Sequence, residues 1–283
     1  MCDTFYLCIW CSMLNQIFNE DCLEWMKRIP DGSIDAIITD PPYWTTACKW
    51  DSVIPFDKMW EQLKRIIKPN GAIVLFWSEP FSSALRMSNI KQYKYDWIWE
   101  KQYWTNFMQK WVPIRYHEII SVFYNRQPIF NEQRKKVIEL DEIIKMDKYR
   151  LLTFFEEREY DSYAKIDRRK NINNPNKSEW THLWDIQVVR KKDDGYRKPK
   201  SILKINWSKN NNVHPTQKPV ALIEYLIRTY TNEWETVLDF TIGSGTTAIA
   251  CINTNRNYIG FELDKWYFDI ANERIAWKLQ NKE

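Results

Sequence analysis

The chain predicts an α/β protein: a Rossmann-like, mostly parallel sheet with helices on both faces, interrupted by an inserted region. Three observations carry this. Short apolar strand segments alternate with amphipathic helical segments on both sides of the middle of the chain. Two of the strands run into loops rich in chemistry, Asp40-Pro41-Pro42-Tyr43 and Asp239-Phe240-Thr241-Ile242-Gly243-Ser244-Gly245. Between them, residues 126–204 lose the alternation and become rich in charge, Asn and Tyr.

Asn15 to Asn19 is a short apolar stretch, and Leu23 to Ile29 an amphipathic one. Pro30-Asp31-Gly32-Ser33 is a turn, after which Ile34 to Thr39 reads as a strand ending on Asp40. Pro55 to Lys68 places Phe56, Met59, Trp60, Leu63, Ile66 and Ile67 on one helix face. Pro69-Asn70-Gly71 stops that helix, Ala72 to Trp77 follows as a buried-type strand, and Glu118 to Tyr124 is another. After His214, Pro219 to Tyr230 predicts a helix and Thr236 to Phe240 a strand. Thr246 to Asn253 predicts a helix, Asn257 to Glu262 a strand, and Asp264 to Leu279 the last helix. There are no internal repeats and no low-complexity tract.

The 283 residues suffice for one large or two small domains, and 44% apolar with 28% charged residues is ordinary for a soluble globular protein. No apolar run approaches the roughly 18 residues of a membrane span. Residues 1–12 lack a basic n-region and a cleavage site. Cys2, Cys8 and Cys11 crowd the N-terminus while Cys22, Cys48 and Cys251 are scattered, so reduced thiols in a cytoplasmic protein are expected. Cys8-x-x-Cys11 has no second pair and no His cluster at zinc spacing, and no metal site is predicted. The net charge is +4, yet residues 126–204 hold 20 Lys and Arg against 14 Asp and Glu, and the remainder 21 against 23. A basic middle segment suits a polyanion, and a merely solvated surface would have the same composition.

Asp40-Pro41-Pro42-Tyr43 ends a strand, where a doubly wound sheet binds ligands. Two prolines fix the backbone and withhold two donors, leaving carbonyls free to accept. Asp40 adds a carboxylate and Tyr43 an aromatic face, a set that suits a planar base with an exocyclic amino group. A rigid Pro-Pro turn with no ligand reads the same way from the tetrapeptide alone. Gly243 and Gly245 allow close backbone approach, and the helix opening at Thr246-Thr247 offers free N–H groups to an anion. A lone G-x-G is weak. Tyr258-Ile259-Gly260-Phe261-Glu262 then ends in an acid where a nucleoside ribose is held. Glu262 alone would be a surface carboxylate; with the glycine turn upstream, binding is favoured. His214-Pro215-Thr216-Gln217-Lys218-Pro219 precedes a helix, with Thr216 as its expected N-cap.

Together these motifs resemble the beta class of DNA amino-methyltransferases, over most of residues 13–125 and 205–280. The order matches: the catalytic motif first, a target-recognition region, H-P-T-Q-K-P, and the cofactor motif last, a circular permutation. The resemblance implies S-adenosylmethionine as cofactor and transfer of its methyl group to adenine N6 in duplex DNA, with base flipping. It implies a catalytic half at residues 13–125, a target-recognition insert at 126–204 and a cofactor-binding half at 205–283. Asp40, Pro41, Pro42 and Tyr43 would be catalytic. Asp21, Cys22, His214, Thr216, Lys218, Asp239, Phe240, Gly243, Gly245, Thr246, Thr247 and Glu262 would bind the cofactor, Asp21 at its adenine amino group. Arg134, Lys135, Arg168 and Arg169 would anchor phosphates. A cognate restriction endonuclease would be a further partner, the oligomeric state monomer or homodimer, and no metal is involved. Cytosine N4 is the alternative target, and a non-catalytic DNA-binding relative the alternative class. RNA methylation is disfavoured because the insert sits where DNA target recognition is expected.

The chain departs from the family in places. Asp239-Phe240-Thr241 stands where the family usually reads D-P-F, and Glu20 stands where a glycine often precedes the acid at position 21. There are 6 glycines and 16 tryptophans, against roughly 20 glycines for average usage. Trp44, Trp77 and Trp234 stand where the family commonly has glycine, and Trp25 and Trp111 look similar. UGA codons read as glycine in the source cell would explain this; UGG codons would refute it. Residues 1–12 lie outside the resemblance, and Met13 is an alternative start that N-terminal sequencing tests.

Overall fold

A computed structural model describes residues 11–42, 54–105, 111, 113–136, 196–206 and 217–281. In chain order the elements are β1 Gln16–Phe18, α1 Cys22–Met26, β2 Ile34–Thr39, α2 Phe56–Ile66, β3 Ile67–Trp77, α3 Phe81–Ser88, β4 Tyr93–Thr105 and β5 Arg115–Phe123. They continue with β6 Lys135–Lys136, β7 Tyr196–Arg197, β8 Ile202–Lys204, α4 Val220–Tyr230, β9 Thr236–Asp239, α5 Thr246–Thr254, β10 Asn257–Phe261 and α6 Lys265–Gln280. Two compact units emerge, residues 1–133 with 200–283, and residues 134–199. Within the second, β6 and β7 pair antiparallel.

The larger unit is an eight-stranded sheet in the order β1-β10-β9-β2-β3-β5-β4-β8. The first five strands are parallel; β5 runs antiparallel to both β3 and β4, and β8 parallel to β4. Alternation along the strands sorts the core into two layers. Ala36, Ile38, Val74, Phe76 and Val237 face Leu222, Leu226, Ala248, Cys251 and Ala271 from α4, α5 and α6. Ile37, Ile73, Leu75, Trp77 and Leu238 face Met26, Met59, Trp60, Leu63 and Leu85 from α1, α2 and α3. Strands covered on both faces read as the near-continuous apolar runs seen in the sequence.

The strand order in the sheet places β9 directly beside β2 although some 200 residues separate them, with Ala36 opposite Val237 and Ile37 opposite Leu238. From β9 the chain turns to β10, and from β2 to β3, on opposite sides. Their carboxyl ends therefore flank a topological switch point, where open α/β sheets leave a crevice.

The helix over 55–68 ends at Ile66, and β3 begins at once rather than after Pro69-Asn70-Gly71. Ile34 pairs with Ile67 and Ala36 with Ala72, so the Pro-Asn-Gly segment is an irregularity within the strand. The segment between Trp77 and Glu118 carries α3 and the 13-residue β4, neither of which was predicted. Pro219, not Thr216, occupies the N-cap of α4, and no side-chain cap hydrogen bond forms there. The fixed φ of proline starts the helix instead.

The tryptophans divide. Trp111 and Trp234 both have φ +68° in the left-handed region, with indoles 98% and 71% exposed. Trp25 is buried, its ring 3.9 Å from that of Phe18, and Trp77 is buried against Phe56 and Phe81. Trp44 lies outside the described residues. No helix among the described residues is long and apolar enough to cross a membrane.

Candidate active site

The cleft opens where β2 and β9 end. Thr39, the last residue of β2, donates from Oγ1 to Asp239 Oδ1 across the strand junction at 2.7 Å. Thr247 Oγ1, in the first turn of α5, donates to the other oxygen of Asp239 at 2.5 Å, and the Thr241 amide donates to Oδ1 at 3.1 Å. Thr241 Oγ1 in turn donates to the main-chain carbonyl of Asp40 at 3.1 Å. A buried carboxylate needs such donors, since its desolvation is otherwise uncompensated. Burial still raises the Asp239 carboxyl above its ordinary range, against the pull of Thr247 and Thr39. Asp239 thus fastens the two strand ends together.

Asp40 stands just past this clamp, with Pro41 and Pro42 lining the same cleft. Its Oδ2 is ion-paired with Lys218 Nζ, while its Oδ1 is buried with no hydrogen-bond partner. Burial pushes its carboxyl up to about 6; Lys218 opposes that rise and Glu118 adds to it. Lys218, brought in just before α4, is 3.4 Å from Glu118 Oε2 and 5.4 Å from the centre of the Phe76 ring.

The other wall is the β9–α5 turn. Gly243 has φ +54° and its amide donates to Glu262 Oε2 at 2.9 Å, while Glu262 Oε1 accepts from the Asp264 amide. Burial raises the Glu262 carboxyl above its usual range, with these two amides acting against it. Gly245, at φ +82°, occupies the N-cap of α5 without a side-chain cap, leaving the helix-start amides to other partners. A Cβ there would also lie 3.1 Å from that of Ala271, so a larger residue would press on α6 as well. Arg274 from α6 hydrogen-bonds the Ser244 carbonyl and hydroxyl and pins the turn from behind.

The predicted residues are therefore partly gathered. Asp21, Cys22, Asp40, Pro41, Pro42, Lys218, Asp239, Phe240, Gly243, Thr246, Thr247 and Glu262 line one cleft of about 1250 Å³, counted out to its open mouth. Gly245 does not line it. Tyr43, His214 and Thr216 lie outside the described residues, as do Arg168 and Arg169. Asp21 also caps α1, accepting from the Leu23 and Glu24 amides. Phe240 is buried, and burial pushes the Cys22 thiol up to about 12, keeping it neutral. Among the described residues there is no cluster of three or more side chains able to hold a metal.

Sequence reasoning missed Thr39 and Thr241 at the strand ends, Gln217, whose Oε1 accepts from Ser244 Oγ at 3.2 Å, and Glu118 with its ion-pair partner Lys101. Threonine at a strand end is simply a good β-former, and its hydroxyl role depends on which strand lies alongside. Glu118 did carry a signal, a carboxylate at the head of the mostly apolar stretch Ile119-Ile120-Ser121-Val122-Phe123.

The family described as DNA methylase, of the N6 and N4 type, matches residues 34–273. The type II methyltransferase M.HpaI of Haemophilus parainfluenzae is 28% identical over 279 residues, covering 93% of this chain and 74% of its own. The crystal structure of the M1.HpyAVI–SAM complex superposes with TM-score 0.57 at 24% identity, covering 92% of this chain and 98% of that one. The cytosine-N4-specific PvuII DNA methyltransferase superposes with TM-score 0.59 at 15% identity, covering 95% and 93%. This chain belongs to the DNA methylase family.

Proposed function

We propose that this DNA methylase transfers a methyl group from S-adenosylmethionine to the N6 amino group of adenine in duplex DNA. The observation that carries the reading is Asp40 Oδ1, a buried, unpartnered carboxylate oxygen beside the glycine turn in one cleft. A buried acceptor without a donor is costly unless a ligand supplies one.

The cleft's donor set fits the cofactor. Its acids, Asp21 and Glu262, suit an adenine amino group and ribose hydroxyls. The uncapped start of α5, with the buried, unpartnered Thr246 Oγ1, suits a carboxylate. Phe240 offers apolar contact. S-adenosylmethionine supplies an electrophilic methyl group when bound there.

This chain's residues then have to make a poor nucleophile attack. The adenine amino nitrogen delocalises its lone pair into the ring. Asp40 Oδ1 and the Pro41 carbonyl accept its two N–H bonds, draw the nitrogen towards tetrahedral geometry and free the pair. Positioning and preorganised charge carry the barrier reduction. As the nitrogen becomes cationic it sheds one proton, for which Asp40 Oδ1 is the acceptor at hand. The base must leave the duplex to reach the cleft, and Tyr43 would stack on it. Within the 126–204 insert, residues 134–199 form their own compact unit and serve as the target-recognition segment, with Arg134 and Lys135 among its phosphate contacts.

Asp rather than Ser at position 40 favours adenine by family resemblance; likeness to the cytosine-N4-specific enzyme favours cytosine as the second reading. Labelled methyl from S-adenosylmethionine, offered with unmethylated genomic DNA and followed by nucleoside digestion, distinguishes them. Label in N6-methyladenine, lost in Asp40→Ala, is expected. Label in N4-methylcytosine would overturn the base, and none at all the activity.

A further inference from the structure

Behind Asp40 runs a row of alternating charges that the transfer itself does not use. Lys218 pairs with Asp40 Oδ2 and reaches Glu118 Oε2 at 3.4 Å, and Lys101 pairs with Glu118 Oε1. The Lys218, Glu118 and Lys101 side chains are 8%, 11% and 16% exposed, so water screens the row little. The sheet holds it in place: Glu118 on β5 stands opposite Trp99 on β4, and Lys101, two residues along, lies over the Trp99 ring at 5.4 Å.

Facing Asp40 are Lys218 ahead of α4, Glu118 from β5 and Asp239 from β9, with Lys101 behind Glu118. Burial opposes ionisation of Glu118, but Lys218 and Lys101 outweigh it and hold its carboxyl below the usual range. Glu118 is therefore a fixed negative charge competing with Asp40 for one ammonium. Full pairing with Lys218 would make Asp40 a weak acceptor, and no pairing would leave it protonated in the buried cleft.

Resting on the methyl-transfer reading, we propose that Glu118 is a positioning residue: neutralised by Lys101, it shares Lys218 with Asp40 and so sets how strongly Asp40 holds a proton or an amino group. Opposite substitutions should then move Asp40 in opposite directions. Glu118→Gln keeps the shape and removes the competitor, and Lys218→Gln removes the shared cation.

The full-length protein, labelled with 13C at the aspartate carboxyls, is titrated by NMR, with Asp40 assigned through Asp40→Asn. The Asp40 midpoint should fall by roughly one pH unit in Glu118→Gln and rise by roughly one or more in Lys218→Gln. Lys101→Gln, remote from the cleft, should raise it by less. A Glu118→Gln midpoint that stays put or rises overturns the proposal, as does a shift of all three variants in one direction, which would indicate mere loosening. Thermal unfolding confirms that each variant is folded. Methyl transfer is read separately: a protein that titrates as expected yet methylates no DNA keeps the charge sharing and refutes the activity.

Discussion

Replacing Trp234 by glycine takes an indole out of a turn whose backbone already has a glycine's conformation. The residue lies between α4 and β9 at φ +68°, held there from both sides: its amide donates to the Asn255 carbonyl at 2.7 Å, and its carbonyl accepts from Asn257 Nδ2 at 2.6 Å. The turn cannot relax to a negative φ without losing both bonds. A side chain in that region costs roughly 1–2 kcal/mol. The indole is 71% exposed, so its removal gives up little packing. Glycine's greater freedom in the unfolded chain offsets roughly 0.5–1 kcal/mol of the gain. The net expectation is stabilisation by about 0.5–1 kcal/mol, a rise in Tm of roughly 1–4 °C for a chain of this size. Trp266→Gly is the matched control: an equally exposed indole, at 70%, but in the first turn of α6. There the same exchange should cost about 0.5 kcal/mol in helix propensity. Calorimetry on the two variants should give shifts of opposite sign. If Trp234→Gly lowers Tm as far as Trp266→Gly does, the strain assigned to this turn does not exist.

Further expectations follow from other parts of the structure. Peptide mass spectrometry of protein from its own cells should find glycine at 111 and 234 if UGA encodes them, since both have left-handed backbones. Gly260→Ala puts a Cβ 2.4 Å from Ile242 Cδ1 and 2.8 Å from Ile17 Cγ2, and urea unfolding should show a loss of roughly 1–3 kcal/mol. Asp239→Ala strands the Thr247 hydroxyl and the Thr241 amide and leaves Thr39 Oγ1 with Thr241 Oγ1 alone, and should cost about 2 kcal/mol or more; a near-neutral result would mean the clamp between β2 and β9 is not structural. Methyl transfer should fall away below about pH 6, where Asp40 gains a proton and can no longer accept from an amino group. Glu79 is partly buried, which opposes its ionisation, yet Ser83 and Arg86 hold it down to about 2. Its folded pKa lies below its unfolded value of 4.5, so its stabilisation is present above that pH and is lost on acidification towards 2. Glu79→Gln should flatten this part of the acid unfolding curve.

Much of this was legible in the chain because the signals are local. Strands covered on both faces are mostly apolar, so the runs 34–39, 236–240 and 257–262 stood out, and their loops carried the motifs. β4 did not stand out. Tyr93–Thr105 interleaves aromatics with Lys, Asp and Glu, and those charges are settled by partners elsewhere: Asp96 by Arg86, Tyr93 and Ser121, and Glu100 by Lys204. A charge in a strand looks like solvent exposure until its partner is known.

The site divides in the same way. Asp40-Pro41-Pro42 and the Gly243–Gly245 turn are short motifs whose chemistry depends on adjacent residues, so residue order alone determined them, and with them the family. Asp239 and Lys218 looked like cofactor ligands from their motifs. Only the tertiary structure shows that Asp239 also ties Thr39, Thr241 and Thr247 together, and that Lys218 also pairs with Asp40 and Glu118. Pairing of β9 with β2 across some 200 residues makes both arrangements, and nothing local in the chain encodes it. Backbone conformation and burial periodicity are written in neighbouring residues; which charges meet, and how much water reaches them, is decided by the packing of distant ones.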